Sequence, residues 1–85
     1  MHEEVRAVLR TVPKLAGVVD TLPVDADLWA AGMDSLTSVH VMVRLEDHFD
    51  LQFSEDALTR DTFGSIQAIA AAVSAVVASR EGVTR

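Results

Sequence analysis

Ser35 is the side chain best placed to take part in chemistry. The stretch Asp27 to Leu36, DLWAAGMDSL, sets it just after a tight turn at Gly32 and at the mouth of an amphipathic segment. A hydroxyl in that setting is presented for modification. A phosphate ester on it would sit beside the unpaired amides and the positive dipole end of the helix that follows. The plainer alternative is that Ser35, or Asp34 before it, only caps that helix, since both residue types do so well. The triplet Asp-Ser-Leu alone does not separate the two.

A catalytic set is missing from the rest of the chain. There is no cysteine, no GxSxG elbow and no HExxH pair, and Ser35 has no recognisable base, so direct catalysis is not expected. His40 and His48, with Arg44 between them, fit a solvated helical face better than a metal site, and no metal is expected. Without cysteine there is no disulfide framework, and any thiol chemistry must come from a group added to the chain.

The helix that would present Ser35 runs from Ser35 to Phe49. At about 100° per residue its apolar side chains form two stripes. Val41, Met42, Leu45 and Phe49, with Ser38 among them, make the wide stripe and the natural core face. Leu36, Val39 and Val43 make a narrower one. Glu46 on one side, and His40, Arg44 and Asp47 on the other, stand between them, so burying both stripes would bury charge. The narrow stripe is therefore expected to be exposed, as a docking surface for a partner with an apolar groove and a basic rim. Cover from neighbouring helices on both sides is the alternative.

Three further helices must hold this one. Val5, Val8, Leu9 and Val12 share one face of a first helix, which Pro13 ends or kinks. From Lys14 to Asp34 no helical period persists, and Gly17, Pro23, Gly32 and the Asp25 to Asp27 cluster mark a long connection. Val18, Val19, Leu22, Leu28 and Trp29 should anchor it, Trp29 as a packing residue rather than a ligand platform. After a break at Asp50, Ser54 with Glu55 and Asp56 starts a short third helix. Thr62 or Ser65 caps a last helix whose face is Ile66, Ile69, Val73, Val76 and Val77, and core packing is its expected role. Beyond Ala78 the tail is polar and should fray, above all over 80–85.

The length of 85 residues allows one domain, 1–85, and the apolar content of 49% with only 5% aromatics suits packed aliphatic helices. A formal charge of −6 disfavours nucleic acid as a partner. The start His2, Glu3, Glu4, Val5 lacks the pattern of a secretory signal, and Ile66 to Ala78 is too short to span a bilayer. A cytoplasmic monomer without membrane association is expected.

Taken together, Asp27, Leu28 and Trp29, then Gly32, Met33, Asp34, Ser35 and Leu36, and a Val- and Leu-rich helix ending Glu46, Asp47, His48, Phe49, resemble the acyl and peptidyl carrier protein family. The resemblance extends from about Leu22 to Val77. It implies an all-α bundle of three long helices and one short helix, with a long loop between the first two. It also implies that Ser35 accepts a covalent 4′-phosphopantetheine arm from coenzyme A through a magnesium-dependent phosphopantetheinyl transferase. The carrier itself would catalyse nothing; the thiol of its arm would hold acyl or aminoacyl groups as thioesters and shuttle them between an activating ligase and downstream transferases. Family roles fall on Ser35 as attachment residue, Asp34 as the acidic neighbour read by the transferase, Gly32 as the turn, and Leu36, Val39, Val43, Glu46 and Asp47 as docking residues.

Departures from the fatty-acid type point to a dedicated pathway. His40 stands where an acid is frequent, Arg44 adds positive charge, and Ala31 replaces a usual leucine. Leu58 to Phe63, Ser65 and Ile66, with LWAAG (28–32) and Ser38-Val39, are similar to freestanding bacterial carriers served by stand-alone amino-acid ligases. The same segment also resembles carriers of specialised polyketide extender units. The rival class is an unmodified acidic helical module that binds one protein through Leu36, Val39 and Val43.

Overall fold

A computed structural model describes residues 1–57 and 59–83, with side chains left out of account at Glu55 and over 79–83. The described residues form helices joined by turns and loops, without a strand: α1 (His2–Arg10), α2 (Pro13–Ala16), α3 (Ser35–Phe49) and α4 (Ile66–Val83), with single 3-10 turns at Val19–Thr21 and Glu55–Ala57. The expected all-α bundle is therefore present among the described residues. Its short third helix is the turn Glu55–Ala57, with Leu58 lying outside the described residues.

α1 buries Val5, Val8 and Leu9, and carries Glu3 and Glu4 in its first turn and Arg10 in its last, where each charge opposes the helix dipole. It ends at Thr11, whose hydroxyl donates to Val8 O at 2.6 Å. Val12 is buried in extended backbone, as the residue before a proline prefers. Pro13 then does more than end α1. It opens α2 from the first helical turn, where a missing N–H costs nothing. The connection expected to lack helix therefore begins with a helical turn and holds a 3-10 turn further on.

That connection is fastened along its length. Arg6 Nη1 donates to Val19 O at 2.7 Å, and Arg10 pairs with Asp20 at 2.7 Å. Gln67 N–H reaches Val24 O, and Leu28 N–H reaches Gly64 O at 2.8 Å, so the start of α4 clasps the loop. Of the expected anchors, Val19 and Leu28 are fully buried and Leu22 and Trp29 pack against the core, while Val18 is only half-buried; Val24, not expected, packs there as well.

The core is one cluster. Val5, Leu9, Leu15, Val41, Leu45, Phe63, Ile66, Ile69 and Val73 lie fully or almost fully buried in it, and α1 packs on both α3 and α4. Of the expected α4 face, Ile66, Ile69 and Val73 are core, while Val76 and Val77 are half-buried at its edge. Ser65 is the cap, accepting Ala68 N–H on its hydroxyl at 3.0 Å; Thr62 instead pairs with Thr59. α4 continues past Ala78 and Gly82 to Val83. Asp50 closes α3 in the left-handed region at φ 52°, a conformation Asp tolerates better than most residues.

Candidate functional site

The turn that leads into α3 is built by Asp27. Its carboxylate accepts Trp29 N–H at 2.9 Å and reaches Ala30 N–H at 3.4 Å, and its carbonyl accepts Ala31 N–H. Met33 N–H returns to Leu28 O at 3.0 Å, with Leu28 and Met33 both buried beneath the turn. The chain can double back because Gly32 sits at φ 127°, where a Cβ is poorly tolerated. This fixes the direction in which the next residues enter α3.

Asp34 and Ser35 then divide the work. Asp34 is the N-cap: its backbone is extended, and its carboxylate accepts Thr37 N–H at 2.7 Å. Its second oxygen lies 2.5 Å from Lys14 Nζ, in an ion pair reaching across from α2. The Lys14 ammonium first, and Thr37 after it, hold the Asp34 carboxyl well below the usual carboxylate range. Ser35 is left as the first helical residue, exposed, with its hydroxyl bonded to none of the described residues. Its carbonyl accepts the hydroxyl of buried Ser38 at 2.7 Å, so the backbone is fixed while Oγ stays open.

The narrow stripe of α3 is exposed. Leu36 is 81% exposed, Val39 40% and Val43 46%, whereas Val41 and Leu45 are fully buried on the opposite face. The two acids near its end differ from each other. Asp47 is exposed, but Glu46 is half-buried and accepts Phe53 N–H at 3.0 Å, so its charge is partly committed to the loop after α3. His40 and Arg44 face each other one turn apart, at 3.4 Å.

Two residues near the site were not legible from the sequence. Lys14 follows a proline in a stretch without helical period, and nothing in the spacing joins it to Asp34. Arg60 lies with its guanidinium 4.7 Å from the centre of the Trp29 ring, while Trp29 Nε1–H donates to Arg60 O at 3.0 Å. Trp29 is thus a packing anchor that also holds a cation. Among the described residues no cluster of three or more His, Asp or Glu could hold a metal, and no helix is long and apolar enough to cross a membrane.

The arrangement offers a nucleophilic hydroxyl that is free to be esterified, at a helix end that favours an anion. Residues 3–73 match the family model described as a phosphopantetheine attachment site. The chain belongs to that carrier-protein family. It is 37% identical over 81 residues to the aminoacyl carrier protein of Agrobacterium fabrum, covering 95% of this chain and 98% of that one. Its fold matches a chain in the crystal structure of an engineered Bradyrhizobium japonicum glycine:[carrier protein] ligase complexed with carrier protein from Agrobacterium tumefaciens and ATP. There the TM-score is 0.81 at 37% identity, over 88% of this chain and 97% of that chain. The corresponding complex with AMP gives a TM-score of 0.79 at 39% identity, over 87% and 99% of the two chains.

Proposed function

We infer that this carrier holds an amino acid, on a 4′-phosphopantetheine arm esterified to Ser35, and presents it to successive enzymes. The observation that carries the inference is the exposed, unbonded Ser35 hydroxyl beside an Asp34 that already does the capping. Support for aminoacyl cargo comes from the aminoacyl carrier protein of Agrobacterium fabrum and from the two ligase complexes.

The residues present fit a phosphodiester at Ser35. The positive end of α3 favours an anion there even with Thr37 N–H taken by Asp34, and Lys14 offsets the charge of Asp34, so a new anion does not face an uncompensated carboxylate. When bound, the arm supplies a terminal thiol on which the amino acid is carried as a thioester. Coenzyme A is the donor and a magnesium-dependent phosphopantetheinyl transferase the modifying enzyme; an amino-acid-activating ligase loads the arm and transferases unload it.

Each protein residue has a mechanical part in this. Gly32 and Asp27 aim the start of α3, Asp34 fixes its first turn, and Leu36, Val39 and Val43 with Asp47 form the face on which partners seat. Tethering then raises the local concentration of cargo at whichever partner is docked. The chain acts in the cytoplasm as a monomer and needs neither nucleic acid nor membrane.

Mass spectrometry of the chain isolated from its native cell, with the thioester preserved, tests the cargo. The expected species is the arm bearing one amino acid. A fatty acyl chain on the arm would contradict the assignment.

A further inference from the structure

The edge of α3 that faces α1 and α2 carries two hollows in line. The first, of about 480 Å³, lies between Val12, Pro13 and Lys14 on one side and Leu36, Val39 and His40 on the other. The second has Ala7 and Thr11 of α1 on one side and Arg44 and Asp47 on the other. His40, Arg44 and Asp47 are exposed and follow one another along this edge at spacings of four and three residues. We propose that this edge decides which loading enzyme the carrier accepts, and that the enzyme meets it with a rim of mixed sign: an apolar side chain in the hollow beside Leu36, a carboxylate on Arg44 and a cation on Asp47. The proposal rests on loading by an amino-acid-activating ligase and adds the order of charge that ligase presents.

The charge of this edge runs against that of the chain, which is −6. Beside the first hollow Lys14 is matched by Asp34, and Arg44 belongs to neither ion pair among the described residues. Arg44 Nε–H instead meets His40 Nε2 at 3.4 Å, and an imidazole nitrogen that accepts brings no negative charge. α1 contributes only Ala7, Val8 and Thr11 to the second hollow, so nothing on that side neutralises the guanidinium. Asp47 then ends the edge with the opposite sign. Glu46, the other acid near that end, is half-buried and accepts Phe53 N–H, which leaves Asp47 as the acid the face offers. Going away from Ser35, the edge is positive first and negative next.

That order selects a partner. A uniformly basic rim sets a cation against Arg44, and a uniformly acidic one sets a carboxylate against Asp47; each leaves one pair of like charges facing. The wholly basic rim expected from the sequence therefore suits Asp47 but not Arg44. The order also fixes the register of docking. Leu36, Val39 and Val43 are aliphatic side chains spaced three and four residues apart, so the exposed stripe they form is much the same from turn to turn. A partner displaced along α3 by one turn, about 5 Å, would still cover apolar surface but would set like against like at the edge. The stripe thus supplies contact area, and the edge holds Ser35 opposite the entrance through which its arm must pass.

The test takes the arm-bearing chain, its intact mass confirmed, and measures its association rate with the engineered Bradyrhizobium japonicum glycine:[carrier protein] ligase at low and high salt. R44D/D47R exchanges the two charges and leaves the net charge of the chain unchanged. It should associate about tenfold more slowly than wild type, with the difference shrinking as salt is added. R44Q should slow association about threefold and leave the melting temperature unaltered, because Arg44 is exposed. Equal rates for wild type and R44D/D47R would overturn the charge order while leaving the ligase as loading enzyme. Faster association of R44Q would overturn it as well, since that is the response of a uniformly basic rim. A wild-type chain that does not associate with the ligase at all would overturn the ligase reading and the proposal together.

Discussion

Lys14 Nζ lies 2.5 Å from Asp34 Oδ2, which ties α2 to the residue that caps the helix carrying Ser35. The pair leaves a pH signature. With its carboxyl held below the usual range, Asp34 adds stability above the unfolded-state value of about 4, and that stability is lost as the pH falls through the lower folded-state value. D34N keeps a capping oxygen but no charge. Wild type should therefore be the more stable near neutrality, and the gap in melting temperature should narrow below about pH 4. Asp20, lowered by Arg10, titrates in the same direction in both proteins and cancels in the difference. A gap independent of pH would exclude the ion pair as its source.

Gly32 should resist substitution for a backbone reason. The nearest atom a Cβ would meet outside its chain neighbours is Lys14 O at 3.9 Å, an ordinary contact, so there is room for alanine but not the conformation. Gly32→Ala should cost about 1–2 kcal/mol in urea unfolding. A neutral result would mean that the turn relaxes without consequence for α3.

Leu36 and Phe63 should separate recognition from folding. Leu36 is 81% exposed, so Leu36→Ala should change stability by less than about 0.5 kcal/mol while weakening association with a loading ligase. Phe63 is 1% exposed in the core, and Phe63→Ala should cost about 3–5 kcal/mol, a large share of a small domain's stability. Calorimetry and binding on the same variants would show whether the two roles divide this way.

Asp47 and Glu46 should not be equivalent. Asp47→Lys should slow association with a basic-rimmed partner by about threefold to tenfold at low ionic strength, and less at high salt. Glu46→Gln keeps an acceptor for Phe53 N–H and so probes charge without breaking the loop. Salt-independent rates for Asp47→Lys would remove its steering role.

What the sequence made legible followed from local rules. Two apolar stripes on one helix cannot both reach one core, and the exposure of Leu36, Val39 and Val43 against burial of Val41 and Leu45 is the outcome. Glycine at 32 and the break at Asp50 were readable because few residues accept positive φ. Contacts between distant positions were not readable. Lys14 meets Asp34 across 20 residues and Trp29 meets Arg60 across 31, and neither pair lies at a helical or strand spacing. Pro13 was ambiguous for a different reason: the residue that stops one helix is also suited to start the next.

The most direct measurement is the intact mass of the purified chain after incubation with coenzyme A, magnesium and a broad-specificity phosphopantetheinyl transferase. Wild type should gain a single phosphopantetheine, and Ser35→Ala should gain none. An unchanged wild-type mass, under conditions that modify a control carrier, would contradict the assignment of Ser35 and with it the account of this chain as a carrier.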